Sequence, residues 1–321
     1  MKNSRLSTSS FKGLALRILL PLALLAVVGL PLLDSWFTNN VILVNTKTRT
    51  FKLDRLFNEV HEDEIAMFGS STVYRGFLPD SLGPQFYNYG MYGSNFQKVK
   101  LLLEEELSKP KTTPIVLDWH PRWLFHRDSV PIQLEDYLPH TGNPRIQTFL
   151  KQYGYNQPWH RVPAIRYYGY FEGYVGAYGR RNALPPKFGF NKGCKYFKPS
   201  TAPDKMAAFV RKRLAMDMSF TFDQGLQKEL ETLIAQHPQR TFVLVASPLH
   251  ESVQRAGGDL APLRSYLNDL EQRFPNVVGL VYDGRTYTDD YFLDTMHLNH
   301  KGAKRFSAQM RDDLRARGVI K

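Results

Sequence analysis

The sequence is poor in cysteine and in acidic residues. Cys194 is the only cysteine among 321 residues, so no internal disulfide can form and a cysteine-rich zinc site is excluded. Basic residues outnumber acidic ones by 42 to 30, which gives a formal net charge of +12 and favours anionic surroundings such as a membrane surface, nucleic acid or an acidic polymer. The hydrophobic content of 43% with 22% charged residues is that of a globular protein with a proper core.

Acidic residues are absent from the N-terminus. Residues 1–17 contain only basic charges and are followed by sixteen uncharged residues at 18–33, "ILLPLALLAVVGLPLL". A signal-peptide core has about 7 to 15 apolar residues and a spanning helix about 17 to 25, so this run lies at the border. The bulky "LLDSWF" after it offers no small-residue cleavage site, which favours an uncleaved transmembrane signal anchor over a removed signal peptide.

The charge before the anchor predicts its orientation. Basic residues stay on the cytoplasmic side, so residues 1–17 are expected in the cytoplasm and the bulk of the chain outside it. In a bacterium this describes a single-pass protein of the inner membrane with a periplasmic or cell-surface domain. Such a chain seldom meets nucleic acid, and no nucleic-acid-binding motif is present.

Short apolar runs alternate with helical patterns after a predicted stalk at 34–60. The runs are "EIAMFG" (64–69), "FYNYG" (86–90), "PIVLDW" (114–119), "TFVLVAS" (241–247) and "VVGLVYDG" (277–284). Helical spacing occurs at 94–109, around 259–274 and from about 300 to 317. The alternation predicts an α/β domain at 61–321, with three layers and a parallel sheet covered on both faces. Ligands bind such sheets beyond the carboxyl ends of the strands.

The pattern is interrupted by a predicted insertion at about 130–220. Its centre, residues 151–200, has nine Lys or Arg, eight Tyr and one acid, Glu172. Tyr and Arg can stack on sugars, and a cationic surface suits anionic polymers or lipid headgroups. The alternative is that most of these tyrosines pack the insertion against the domain.

Two distant motifs supply the parts of a catalytic triad. "FGSSTVYRGF" places a serine at the end of the first predicted strand, where a following helix offers backbone N–H groups. A serine needs a base, usually a histidine held by a carboxylate. "LDTMHL" supplies both as Asp294 and His297. We therefore predict Ser71 as nucleophile, in preference to Ser70, with His297 as base and Asp294 as its orienting group.

These motifs resemble the SGNH (GDSL-like) hydrolase superfamily, which implies a flavodoxin-like fold. In the family, the third residue of the G-D-S block is the nucleophile, which matches Ser71 in "GSS". A glycine of the second block serves the oxyanion hole and matches Gly93 in "YGSN", together with the Ser71 N–H. The fifth block, D-x-x-H, matches Asp294 and His297.

The third block departs from the family, which usually has G-x-N-D where this chain has "IVLDWHPRWLF". Trp119 or His120 is a candidate replacement for the missing asparagine, and the predicted substrate-binding residues are His120, Trp119, Arg75 and His250. With its anchor, the chain is similar to a membrane-anchored branch that includes DltD-like and alginate O-acetylation proteins. The resemblance implies extracytoplasmic acyl transfer to a sugar or anionic polymer of the cell envelope, often beside a membrane-bound O-acyltransferase, and no cofactor.

Other interpretations of the same residues are open. Asp294, His297 and His300 could bind a metal, although no second ligand cluster accompanies them, and no metal is predicted. Asn299 or His300 could only cap the final helix, and the two serines could form a polar turn. The function could also be that of a carbohydrate esterase, or of a non-catalytic envelope subunit that binds polymer or aids assembly.

Overall fold

The computed structural model describes residues 8–119, 132–155, 157–218 and 223–321, with side chains from residue 16 onward. The helices are α1 (Thr8–Leu24), α2 (Leu30–Phe37), α3 (Arg49–Asn58), α4 (Ser71–Gly76), α5 (Pro79–Leu82), α6 (Phe96–Leu107), α7 (Pro144–Gln152), α8 (Phe171–Gly179), α9 (Pro203–Leu214), α10 (Gln224–Gln236), α11 (Glu251–Arg255), α12 (Ala261–Arg273) and α13 (His300–Ala316). The strands are β1 (Ile65–Phe68), β2 (Phe86–Asn88), β3 (Ile115–Asp118), β4 (Phe188–Asn191), β5 (Cys194–Phe197), β6 (Phe242–Ala246), β7 (Val277–Val281), β8 (Phe292–Asp294) and β9 (His297–Leu298).

These elements form two compact units. One contains Met1–Asp54 and Gln133–Asn182, and the other contains Arg55–Ile132 and Ala183–Lys321. We call them the anchor unit and the sheet unit. The predicted insertion at about 130–220 is therefore divided, since its first part belongs to the anchor unit and its second part, with β4, β5 and α9, belongs to the sheet unit.

The sheet unit is built on five parallel strands in the order β2-β1-β3-β6-β7. Every residue of β1, β3 and β6 is buried, as expected for strands covered on both faces by helices. The order is flavodoxin-like, and the chain reverses direction across the sheet between β1 and β3. The predicted fold class is confirmed: a parallel sheet flanked by helices and preceded by one apolar helix.

The anchor unit begins with one continuous helical run. It comprises α1, a π-helical turn at Leu25–Gly29, α2 and a second π-helical turn at Thr38–Ile42. The stretch Leu16–Ile42 contains eighteen consecutive residues with a mean hydropathy of 2.4 and is long and apolar enough to cross a membrane. Residues 34–42, which the sequence assigns to a stalk, thus continue the helix, and α3 follows after a short loop.

Helix ends and sheet strands lie close to where the sequence places them. Asn95 caps α6 by accepting a hydrogen bond of 3.1 Å from the Lys98 N–H, and Asn299 caps α13 by accepting one of 3.1 Å from the Gly302 N–H. The hairpins β4–β5 and β8–β9 were not predicted from the sequence.

A buried ionic cluster lies where β3 and β6 begin. The Glu106 carboxylate, 1% exposed, contacts Lys111 at 2.7 Å and Arg240 at 3.1 Å, and both cations are fully buried. Lys109 approaches the same carboxylate at 3.3 Å. One carboxylate therefore holds three cations at the sheet edge opposite to the carboxyl ends of the strands.

Candidate active site

Ser71 stands on a turn that two glycines make possible. It is the first residue of α4, directly after β1, with Ser70 at the helix N-cap. A Cβ on Gly69 would lie 2.2 Å from Val73 Cγ2, and one on Gly90 would lie 2.6 Å from the Tyr74 backbone nitrogen. The absence of both side chains lets α4 start immediately after β1 and lets the loop after β2 pass against it.

Asp294 and His297 face each other across a tight hairpin. They are directly paired residues of β8 and β9, with Thr295 and Met296 in the turn between them. One carboxylate oxygen of Asp294 accepts the N–H groups of Met296 at 2.8 Å and His297 at 3.0 Å. The D-x-x-H spacing therefore fixes both the backbone of the turn and the position of the imidazole.

The structure brings Ser71, His297 and Asp294 together. His297 Nε2 lies 2.7 Å from Ser71 Oγ, and His297 Nδ1 lies 2.9 Å from both carboxylate oxygens of Asp294. In the tautomer with the proton on Nδ1, the ring donates to Asp294 and accepts from the Ser71 hydroxyl. Ser70 Oγ instead lies 3.3 Å from Thr72 Oγ1, so the geometry selects Ser71 over Ser70 as the partner of the imidazole.

The electrostatics keep Asp294 ionised. Burial alone would raise the pKa of this carboxyl, but hydrogen bonds from the His297 ring and the Met296 N–H, with the positive charge of Arg75, bring the pKa below its usual value. A carboxylate that stays charged orients the imidazole and stabilises an imidazolium formed beside it.

A second carboxyl, Asp118, lies beneath the serine turn and was not recognised from the sequence. It ends β3, is fully buried, accepts the Thr72 hydroxyl and accepts the Ser247 N–H at 3.2 Å. Burial raises the pKa of Asp118 to about 6, against the opposing hydrogen bonds from Thr72 and Ser247. In the sequence, Asp118 is visible only as an aspartate at the end of a predicted strand, within the stretch that replaces the third block of the family.

Gly93 lies in the turn before α6 with a positive φ of 71°, a conformation that favours glycine. Its loop is tied to the serine turn because the Met91 N–H donates to the Gly69 carbonyl at 3.1 Å. The Gly93 carbonyl accepts a hydrogen bond from Lys98 Nζ at 3.1 Å. The predicted oxyanion groups of Gly93 and Ser71 thus belong to two loops joined at the end of β1.

Arg75 and Lys195 add positive charge near the triad. Arg75 lies one helical turn after Ser71, with its guanidinium carbon 5.4 Å from the ring centre of Tyr92. Its charge lowers the pKa of Asp294, and it assists burial in lowering the pKa of Lys195 on β5. Among the described residues, neither cation is paired with a carboxylate. Arg75 is therefore close enough to act on Asp294 electrostatically, and its role in substrate binding stays a prediction.

Trp119 and His250, two other residues predicted to bind substrate, are both buried. Trp119 is fully buried and packs edge-to-face on Phe96 at 5.5 Å, so its ring is not open to a substrate. His250 is 3% exposed; its Nδ1 accepts the Ser252 N–H to cap α11, and its Nε2 donates to Asp289 at 3.0 Å. His120 lies outside the described residues.

His300 does not join the triad. Its ring stacks on Tyr196 with a centroid distance of 4.3 Å, and burial lowers its pKa. The structure gives the neighbouring Asn299 the capping role that the sequence left open between the two. Within the described ranges, no group of three or more His, Cys, Asp or Glu is arranged to hold a metal ion.

The comparisons with known proteins do not assign the chain to a family. No family model matches the chain, and no curated protein matches it. Among solved structures, one named "putative platelet activating factor from Streptococcus pneumonia" is similar over 88% of this chain and 96% of its own, with 14% identity and a TM-score of 0.41. At that level the likeness carries no inference about activity.

Proposed function

We propose that this protein is a membrane-anchored enzyme that transfers acyl groups through an acyl-serine intermediate. The observation that carries the proposal is the chain of contacts from Ser71 Oγ to His297 Nε2 at 2.7 Å and from His297 Nδ1 to Asp294 at 2.9 Å. A nucleophile, a base and a group that orients the base are the parts that serine-dependent acyl transfer needs. Their arrangement at the carboxyl edge of a parallel sheet supports membership of the SGNH superfamily.

The first half-reaction uses the three side chains in sequence. His297 takes the Ser71 proton while Ser71 Oγ attacks the carbonyl carbon of an ester or thioester. The N–H groups of Ser71 and Gly93 are proposed to stabilise the resulting oxyanion, and one such donor typically contributes about 3 kcal/mol. The tetrahedral intermediate then collapses, the leaving alcohol or thiol takes the proton from His297, and the acyl group remains on Ser71.

The second half-reaction determines the class of enzyme. His297 takes the proton of an acceptor hydroxyl while the acceptor oxygen attacks the acyl carbonyl carbon, and the bond from that carbon to Ser71 Oγ then breaks as His297 returns the proton to Ser71 Oγ. If the acceptor is a sugar or polyol hydroxyl the protein is a transferase, and if it is water the protein is an esterase. Arg75 and Lys195, which pair with no carboxylate of the described residues, support an acceptor that carries negative charge, such as an acidic polymer of the cell envelope.

The N-terminal helix is proposed to remain attached as an anchor. Asp34, Phe37 and Ile42, all within the helical run, are buried in the folded anchor unit. Removal of the helix at or after these residues would open the core of that unit. We therefore propose a single-pass protein with its sheet unit outside the cytoplasm, acting beside a membrane-bound O-acyltransferase that supplies the acyl group.

Activity-based labelling tests the nucleophile. The full chain in mild detergent is incubated with a fluorophosphonate probe and with p-nitrophenyl acetate. We expect labelling of the parent chain and loss of labelling and ester cleavage in Ser71→Ala. Ser70→Ala is the matched control, because it removes a neighbouring hydroxyl that does not contact His297, and it should keep most of the labelling.

The same assay separates the alternatives. Ester cleavage that accelerates when a polysaccharide acceptor is added, with the acyl group recovered on the polymer, supports transfer, whereas recovery as the free acid supports hydrolysis. Labelling that persists in Ser71→Ala would refute the proposed nucleophile. An unlabelled parent chain would favour a non-catalytic envelope subunit.

A further inference from the structure

The helix that enters the anchor unit has two different faces near its end. Asp34, Phe37 and Ile42 are each less than 10% exposed and recur at intervals that place them along one side of the helical run. Large apolar side chains on the other side remain exposed, including Leu32 at 66% and Trp36 at 57%. The end of the helix is thus covered on one side only.

Aromatic side chains from residues 165–177 cover the buried side. The Phe37 ring contacts Tyr167 at 5.3 Å, Phe171 at 5.0 Å and Tyr174 at 6.1 Å between ring centres. Beyond the end of the helical run, Asn45 donates to the Ala177 carbonyl at 3.0 Å. This segment is therefore fixed at the height of Phe37 along the helix.

The one acidic residue of this helical stretch is neutralised by the same segment. Asp34 accepts hydrogen bonds from Arg166 Nε at 2.8 Å, from Arg166 Nη2 and from the Ala164 N–H at 2.7 Å. A carboxylate at the edge of a bilayer is costly when it is unpaired. Because two nitrogens of the Arg166 guanidinium donate to the Asp34 carboxylate, the charge is paired and its cost next to lipid is lowered.

The covering segment itself exposes large apolar side chains. Tyr168 is 85% exposed, Phe171 57%, Ile165 43% and Val175 43%. With Trp36 they form what we call the interfacial surface. Tyr and Trp in such positions are typical of the boundary between hydrocarbon and headgroups, where an apolar ring and a polar tip are both accommodated.

The length of the apolar run gives the depth of this surface. Residues 18–33 rise by about 24 Å at 1.5 Å per residue, and the roughly 30 Å of a hydrocarbon core extends a few residues further along the helix. Trp36 and Phe37 then lie at the next level, where the helix leaves the bilayer. Phe171, stacked on Phe37, must lie at that level too.

We propose that the interfacial surface is a second membrane contact, in which residues 165–175 rest in the headgroup region of the leaflet from which the anchor emerges. The bilayer is the occupant because Phe171, stacked on Phe37, lies at the level where the apolar run of the anchor ends, and the side chains exposed beside it are large and apolar. The contact fixes how the anchor unit lies on the membrane. It rests on the anchor helix and is independent of the proposed chemistry at Ser71.

Site-specific fluorescence tests the contact. The buried Cys194 is replaced by Ala, and a single cysteine is placed at Tyr168→Cys or Val175→Cys in the full chain for labelling with an environment-sensitive nitrobenzoxadiazole dye. Lys151→Cys, an exposed position of the same unit, is the matched control. The proteins are placed in nanodiscs of phosphatidylcholine and phosphatidylglycerol, with or without acyl chains brominated near the headgroup.

We expect blue-shifted emission and at least about twofold stronger quenching by brominated lipid at positions 168 and 175 than at 151. Tyr168 is so exposed that its replacement should not disturb folding, and an unchanged far-ultraviolet circular dichroism spectrum verifies this for each variant. Water-like emission without lipid quenching at both positions, in a chain whose helix is embedded, would overturn the proposal and leave a protein partner for this surface. Equal quenching at 151 would also overturn it.

Discussion

Replacement of Asp118 by asparagine should change how the stability of the protein depends on pH. The carboxyl is fully buried beneath the serine turn, and burial raises its pKa from 3.8 to about 6. A raised pKa in the folded state means that folding favours the protonated form. Its stabilising effect is therefore complete below the unfolded pKa near 4 and is lost as the pH rises through about 6.

The magnitude follows from the shift. About two pKa units at 1.36 kcal/mol each give about 3 kcal/mol of unfolding free energy that Asp118 removes between pH 4 and pH 7. Asparagine stays neutral and lacks this penalty. We therefore compare the unfolding free energy of Asp118→Asn with that of the parent at each pH. Whatever the difference is at pH 4, it should shift in favour of the variant by up to about 3 kcal/mol by pH 7.

Urea unfolding of the full chain in mild detergent, measured from pH 4 to pH 8, checks the prediction. Asp283→Asn is the control. Hydrogen bonds from Arg285 lower the pKa of the Asp283 carboxyl to about 2, whereas burial raises that of Asp118. The stabilisation that ionised Asp283 provides is lost only below about pH 4. The unfolding free energies of Asp283→Asn and the parent should therefore differ by a constant amount between pH 5 and pH 8. A flat difference for Asp118→Asn as well would refute the account of the buried carboxyl.

Three further predictions concern the core, the serine turn and the base. Glu106→Gln leaves buried cations uncompensated and should lower the unfolding free energy by about 3 to 5 kcal/mol, whereas Glu251→Gln at an exposed ion pair should cost less than about 1 kcal/mol; urea midpoints measure both. Gly90→Ala pushes a Cβ into α4 and should cost about 1 to 3 kcal/mol with slower probe labelling, while Gly142→Ala, which meets open space, should do neither. Asp294→Asn should slow fluorophosphonate labelling about 10³- to 10⁴-fold while the unfolding free energy stays within about 1 kcal/mol of the parent, and labelling at the parent rate would contradict the orienting role.

The sheet could be predicted from the sequence because its signals are local. Five apolar runs and the glycines and caps at their ends locate the strands, and parallel strands necessarily share one carboxyl edge. From that rule we predicted that Ser71 and His297 lie close together, although 225 residues separate them in the sequence. The D-x-x-H spacing identified Asp294, although the hairpin that produces the contact was not foreseen.

The remaining features depend on distant partners that no local pattern specifies. Asp118 appears in the sequence as a polar residue at the end of a strand, and only the fold shows that Thr72 and Ser247 close over it. Arg166 pairs with Asp34 from a segment without regular periodicity. The burial of His250 and Trp119 likewise depends on packing rather than on position after a strand, and their role in substrate binding stays a prediction.

The most direct test of the triad is to locate the probe adduct itself. The parent chain is labelled with a fluorophosphonate, digested and analysed by tandem mass spectrometry. We predict one modified residue, Ser71, whose hydroxyl is 2.7 Å from His297 Nε2. An adduct on Ser70 or any other residue, with Ser71 recovered unmodified, would contradict the assignment of the nucleophile and the mechanism built on it.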